Sequence, residues 1–224
     1  MERILYIPSH FSETDSKRIT EFVSQHPLAT MVGSIDGQLI ANHLPFMCSD
    51  LELKPGSQLI SHTAKANPIW KLGETNASVL LIFAGYETYI SPSYYPTKQE
   101  THKVVPTYNY VAIHIHGKLS CFHDENKKLQ IVETLTNEME SSKEKPWAVA
   151  DAPDDYIQMM LANIVGISLE VESIEAKWKV SQNRSEADRQ GVAHGLSGEA
   201  AEDAQVMSTL VSTQVSTPVR SASS

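Results

Sequence analysis

The stretch LATMVGSIDGQLIANHLPFM, residues 28–47, decides how this chain is read. Two apolar, β-favouring runs flank Asp36-Gly37, a dipeptide that supplies the positive φ angles of a two-residue hairpin turn. Antiparallel pairing is therefore the starting point, and the stretches beyond it agree. SQLISHTA, residues 57–64, reads as a third strand, and ASVLLIFAG, 77–85, as a buried one. ETYISPSYY, 87–95, follows at hairpin distance. VAIHIHGKLSCF, 111–122, alternates, with Ile113 and Ile115 on one face and His114 and His116 on the other. VGISLEVESIEAKWKV, 165–180, is a long final strand.

Helix signals fall between these runs. Ser12 opens a helix over 13–25 that Pro27 stops. Asn67-Pro68 starts a short helix that Gly73 can end. Asp124 caps a helix over 125–141, a further helix covers 153–163, and Ser185 with Asp188 opens a last one ending near Gly195. The sum is about six antiparallel strands with helices at the start, middle and end, a small β-barrel with flanking helices. Residues 1–196 form the expected domain. Residues 197–224 are expected to be a flexible Ser/Thr-rich tail, because 208–224 carry one charge, Arg220, and no aromatic residue.

The chain has 224 residues and a net charge of −9. That charge disfavours non-specific attraction to nucleic acid, which depends on cations meeting phosphates. No apolar run is long enough for a membrane helix, and MERILYIPSHF lacks the pattern of a signal peptide. With two cysteines, Cys48 and Cys121, the expectation is a cytoplasmic protein with reduced thiols.

Several clusters carry chemistry. Ser61, His62, Thr63, Lys65 and Asn67 sit where a strand gives way to a helix, with Trp70 just beyond. Hydroxyls, a cation and a helix N-terminus can hold a phosphate. ANHLPF, residues 41–46, reads as a strand rim interrupted by Pro45. Tyr89, Tyr94, Tyr95, Tyr108 and Tyr110 offer stacking surface for a ligand or a homodimer interface, with Ser91 among their polar neighbours. KWKVSQNRSEADRQGV, 177–192, gathers Lys177, Lys179 and Arg184 around Trp178, Gln182 and Asn183. His114 and His116 share a strand face, but no zinc motif accompanies them and no metal is expected. No nucleophile motif is present, so no catalytic side chain is assigned and a bound cofactor is the better source of chemistry.

In order along the chain, YIPSHF, ANHLPF, ISHTAKANPIW, YISPSYY, VPTYNYVAIHIHG and KWKVSQNRSEADRQGV resemble the PaiB-type proteins, FMN-binding negative transcriptional regulators. The resemblance covers about residues 1–195 and implies a six-stranded antiparallel FMN-binding split barrel that forms homodimers. It implies that Ser61, His62, Thr63, Lys65 and Asn67 hold the FMN phosphate, with Trp70 near by. Asn42, His43, Leu44 and Pro45 would run beside the ring; Tyr89 and Ser91 would border it; Lys179, Gln182, Asn183 and Arg184 would close over it. Repression of transcription, directly on DNA or through a transcription-related protein partner, is the implied role. A flavin-dependent oxidoreductase using NAD(P)H and a haem-handling protein are the alternatives.

Overall fold

The computed structural model describes residues 5–48 and 50–213. Among them eight strands form an antiparallel sheet: β1 Ser12–Glu13, β2 Leu28–Ile35, β3 Gln38–Pro45, β4 Met47–Cys48, β5 Gln58–Ala64, β6 Ser78–Ile90, β7 Thr107–Phe122 and β8 Ile164–Lys179. They run in the order β3-β2-β6-β7-β8-β5-β4, with β1 added to β8. Helices α1 Ser16–Gln25, α2 Lys98–Thr101, α3 Glu125–Glu140, α4 Asp154–Ala162, α5 Glu186–Ser197 and α6 Glu202–Ser212 accompany them. The expected count of six strands is not matched, and the sheet does not close. β1 and β4 are two residues long, too short to show any alternation. The expected reversal after ASVLLIFAG does not occur: Tyr86 takes a left-handed φ of 52° without turning the chain back, and β6 runs on to Ile90.

The chain divides into two compact units. The strand-rich unit comprises Thr14–Phe83 and Ile113–Glu175. Its hairpin pairs Leu28 with Pro45 through to Ile35 with Gln38. Asp36 and Gly37, at φ 51° and 78°, make the two-residue turn that their sequence foretold. Ala29, Met31, Leu81, Phe83, Ile113, Ile115, Val165, Ile167 and Leu169 are buried, every second residue of their strands. Burying each larger side chain contributes about 1.5–3 kcal/mol. α1 starts one turn later than read, because Asp15 rather than Ser12 caps it: its carboxylate accepts from the Lys17 amide at 2.9 Å. α3 buries Ile131 and Leu135 together with Lys128, whose ammonium donates to the Leu161 carbonyl at 2.6 Å and so closes the end of α4.

The helix-pair unit comprises residues 5–13, Ala84–Ala112 and residues 176–213. Ser185 caps α5 as read, accepting from the Asp188 amide at 3.2 Å. The expected flexible tail from 197 differs from what is seen. Residues 202–212 form α6, whose Ala204, Met207, Ser208 and Val211 are buried at helical spacing. Ser208 donates to the Ala193 carbonyl of α5 at 2.7 Å. The outer part of that tail, 214–224, lies outside the described residues. Gly191 and Gly195 leave room on α5 for Tyr94, whose hydroxyl donates to Glu199.

Candidate functional site

The strand-rich unit holds Asn42–Pro45 on β3 and Ser61–Trp70 on β5 and the 3-10 helix Pro68–Thr75. Alternation on β5 separates the predicted phosphate ligands. Ser61 and Thr63 face inward, 0% and 3% exposed, while His62 faces the other way and is half-buried. The Thr63 hydroxyl and the His62 Nδ1 are buried without a hydrogen-bond partner. Ser61 makes one long contact, 3.4 Å to the carbonyl of His62. Burial without a compensating charge holds His62 below the usual imidazole range, so the ring is neutral near pH 7. An unsatisfied buried polar group costs about 1–3 kcal/mol, which a ligand can recover.

Lys65 is exposed, and the backbone beneath it is fixed from four directions. Its amide donates to the Asn163 carbonyl at 2.8 Å. Its carbonyl accepts from the Trp70 indole N–H at 3.0 Å. The Asn67 amide closes a turn on the Ala64 carbonyl at 2.9 Å. The Asn67 side chain does two jobs at once: its oxygen accepts from the Ile69 amide at 3.2 Å, and its nitrogen donates to Asn42 Oδ1 at 2.7 Å. β3 and β5 have no ladder between them, and this carboxamide pair bonds the β3 rim to the Lys65 turn. Asn42, Asn67 and Trp70 thus have protein partners and serve to position the turn. His43 is exposed, while Leu44 and Pro45 are half-buried.

The helix-pair unit holds the other predicted residues. Tyr89 is exposed and meets Tyr108 edge to face, ring centres 5.8 Å apart. Ser91 is engaged locally, 2.7 Å from the Ser93 hydroxyl. Both ends of the Gln182 carboxamide are occupied by backbone, the Val180 amide at 2.8 Å and the Trp178 carbonyl at 2.5 Å. Asn183 is exposed, Lys179 donates to the Thr107 hydroxyl and the Tyr108 carbonyl, and Arg184 lies 4.7 Å from the Tyr95 ring centre. Sequence reasoning missed Asn163, whose contribution is a backbone carbonyl and leaves no side-chain signal. It also gave no sign that Lys177 is buried.

These features belong to a known class of fold. The FAD and haem binding protein from Mycobacterium smegmatis shares it at a TM-score of 0.52 and 15% identity, over 75% of this chain and 73% of that one. The flavocytochrome Anf3 from Azotobacter vinelandii does so at 0.55 and 12%, over 77% and 72%. The class is a split-barrel-like antiparallel sheet with flanking helices. Within it, the family model described as "Putative FMN-binding domain" matches residues 5–173. The chain belongs to this FMN-binding family, and FMN is the cofactor the family carries. It is also 32% identical over 210 residues to the protease synthase and sporulation protein PAI 2 of Bacillus subtilis strain 168, covering 92% of this chain and 96% of that protein.

Proposed function

We propose that this chain is an FMN-binding, homodimeric regulator that acts on transcription through a protein partner, and that its strand-rich unit holds the flavin phosphate at the turn after β5. The observation that carries the flavin reading is the partnerless His62 Nδ1, on the face of β5 away from Ser61 and Thr63, leading into an exposed Lys65 on a turn held by five hydrogen bonds. A phosphate monoester needs donors and positive charge, and His62 and Lys65 offer both. A turn fixed in advance spares the ligand the cost of ordering it. Asn42 to Pro45 border the same turn through the Asn42–Asn67 bond and would flank the ring. Bound FMN would supply an electron and hydride acceptor; the side chains bind, orient and exclude water.

The regulatory part rests on the likeness to the PaiB-type proteins over nearly the whole chain. A net charge of −9 favours action through a partner over direct hold on DNA. No helix among the described residues is long and apolar enough to cross a membrane. Titrating FMN against the quenching of its fluorescence tests the flavin site. Lys65→Ala should weaken FMN by about 10- to 100-fold, the loss of one charge-assisted contact, and His62→Gln by less. Unchanged affinity in both variants overturns the assignment. Titration of duplex DNA at low salt separates direct from indirect regulation: retention there would refute the partner-mediated reading.

A further inference from the structure

We propose that α4, in the strand-rich unit, is a docking face for a basic amphipathic helix of a second protein. The proposal deepens the partner-mediated role argued above and rests on that reading for its use, though not for its chemistry.

α4 carries more apolar side chain than the fold covers. Of Tyr156, Ile157, Met159, Met160 and Leu161, only Leu161 is buried. Ile157 and Leu161, four residues apart, make the inner stripe, and the Lys128 ammonium holds the Leu161 carbonyl at 2.6 Å. Tyr156, Met159 and Met160, at i, i+3 and i+4, make a second stripe that stays 48%, 54% and 44% exposed. A surface helix ordinarily turns its apolar stripe to the core and its polar residues to water. Here one nine-residue helix carries two apolar stripes, and the fold covers one. Met139 in the last turn of α3, which packs beside α4, and Trp147 on the link between the two are likewise 43% and 46% exposed.

The charge that accompanies this face decides what fits it. From Glu138 to Asp155 the chain carries six carboxylates against two lysines, Lys143 and Lys145. Asp154 and Asp155 are exposed in the first turn of α4, and Asp155 stands four residues before Met159, on the same side of the helix. A second copy of this chain would bring these carboxylates against their own equivalents, because a two-fold interface sets a patch against itself. Anionic lipid and nucleic acid meet the same repulsion. A basic protein segment is attracted instead. α4 offers side chains only, its backbone groups being bonded along the helix, so the partner cannot add to it as a strand. It must bring a backbone already satisfied, which is a helix. The two methionines suit such an occupant, since flexible thioether chains follow apolar surfaces of varied shape.

The test uses the full chain saturated with FMN and a fluorescein-labelled synthetic peptide, Leu at helical spacing and Lys elsewhere, read by fluorescence anisotropy. One peptide should bind per chain, and its analogue with Glu in place of Lys should not. Tyr156→Ser with Met159→Ser, both at exposed positions, should weaken the peptide by about tenfold or more, with melting temperature and FMN affinity unchanged. Asp154→Asn with Asp155→Asn should weaken it by about threefold to tenfold and flatten its decline with added salt. No peptide binding, equal binding of the acidic analogue, or a Tyr156→Ser, Met159→Ser variant that binds as the parent does would overturn the proposal. So would a parent dimer that this variant splits in sedimentation, which makes the face a contact between copies. Binding to phosphatidylglycerol vesicles that the variant loses would make it a lipid surface and overturn the proposal equally. The duplex titration above stands apart: retention of DNA refutes partner-mediated regulation and leaves the peptide result intact, whereas failure of the peptide sinks this face alone.

Discussion

Asn67 offers a way to separate the stability of the β5 turn from its charge. Its carboxamide makes two bonds, the cap to the Ile69 amide and the link to Asn42. Asn67→Ala removes both. Loss of a cap costs about 1 kcal/mol, and loss of a half-buried neutral bond about 0.5–1.5 kcal/mol. The sum is about 2 kcal/mol, which lowers Tm by roughly 4–8 °C for a chain of this size. Asn67→Asp is different. A carboxylate caps as well as a carboxamide, and Asn42 can rotate to present its NH2, so stability should stay within about 0.5 kcal/mol of the parent. The new negative charge, however, sits two residues from Lys65 and beside the proposed phosphate. At an effective dielectric near 20–80, and a few ångströms more than a contact, its repulsion is about 1 kcal/mol, some fivefold in FMN affinity. Thermal unfolding without FMN and fluorescence titration with it read the two effects apart. If Asn67→Asp binds FMN as the parent does, or if Asn67→Ala melts unchanged, the turn does not work as argued.

Two other outcomes follow from buried groups. Because His62 is held below the ordinary imidazole value of about 6.5, the unfolded chain takes up a proton there that the folded chain refuses, so stability should fall as pH drops below that value. His62→Gln should remove this part of the acid sensitivity in urea unfolding, and FMN should raise the ring's titration midpoint in the NMR spectrum; a midpoint indifferent to FMN would place the phosphate elsewhere. On α5, a Cβ at Gly191 would lie 2.1 Å from the Tyr94 carbonyl oxygen and 2.7 Å from Pro96 Cδ. Gly191→Ala should therefore destabilise the helix-pair unit by about 1–3 kcal/mol despite a helix-propensity gain of about 1. Gly198→Ala, with nothing nearer than 3.6 Å, should be neutral or slightly stabilising in the same denaturant titration.

The elements that the sequence announced are those whose signals are local. Asp36-Gly37 could only reverse the chain, and Asp124 and Ser185 cap the helices they precede. α6 escaped because its buried face is made of Ala204, Met207, Ser208 and Val211. The spacing is helical, but Met207 and Val211 are its only sizeable apolar side chains, and the Ser and Thr around them read as a tail. Ser208 earns its place through a bond to a carbonyl fifteen residues earlier, which no local window contains. The strand count failed for a related reason: two-residue strands exist only through their partners, Lys177 and Ala176 for β1, Ile60 and Leu59 for β4.

The candidate site divides along the same line. Residue types at the β5 turn were legible, since hydroxyls, a lysine and an Asn-Pro start are local chemistry. Their division of labour was not. The alternation of β5 separates His62 from Ser61 and Thr63, and pairing across twenty-five residues turns Asn42 and Asn67 from ligand contacts into a clamp. That leaves Lys65, Thr63 and His62 as the groups with unspent hydrogen-bonding capacity. A binding site is identified by what the fold leaves unsatisfied, which sequence cannot show until every other polar group has found its partner.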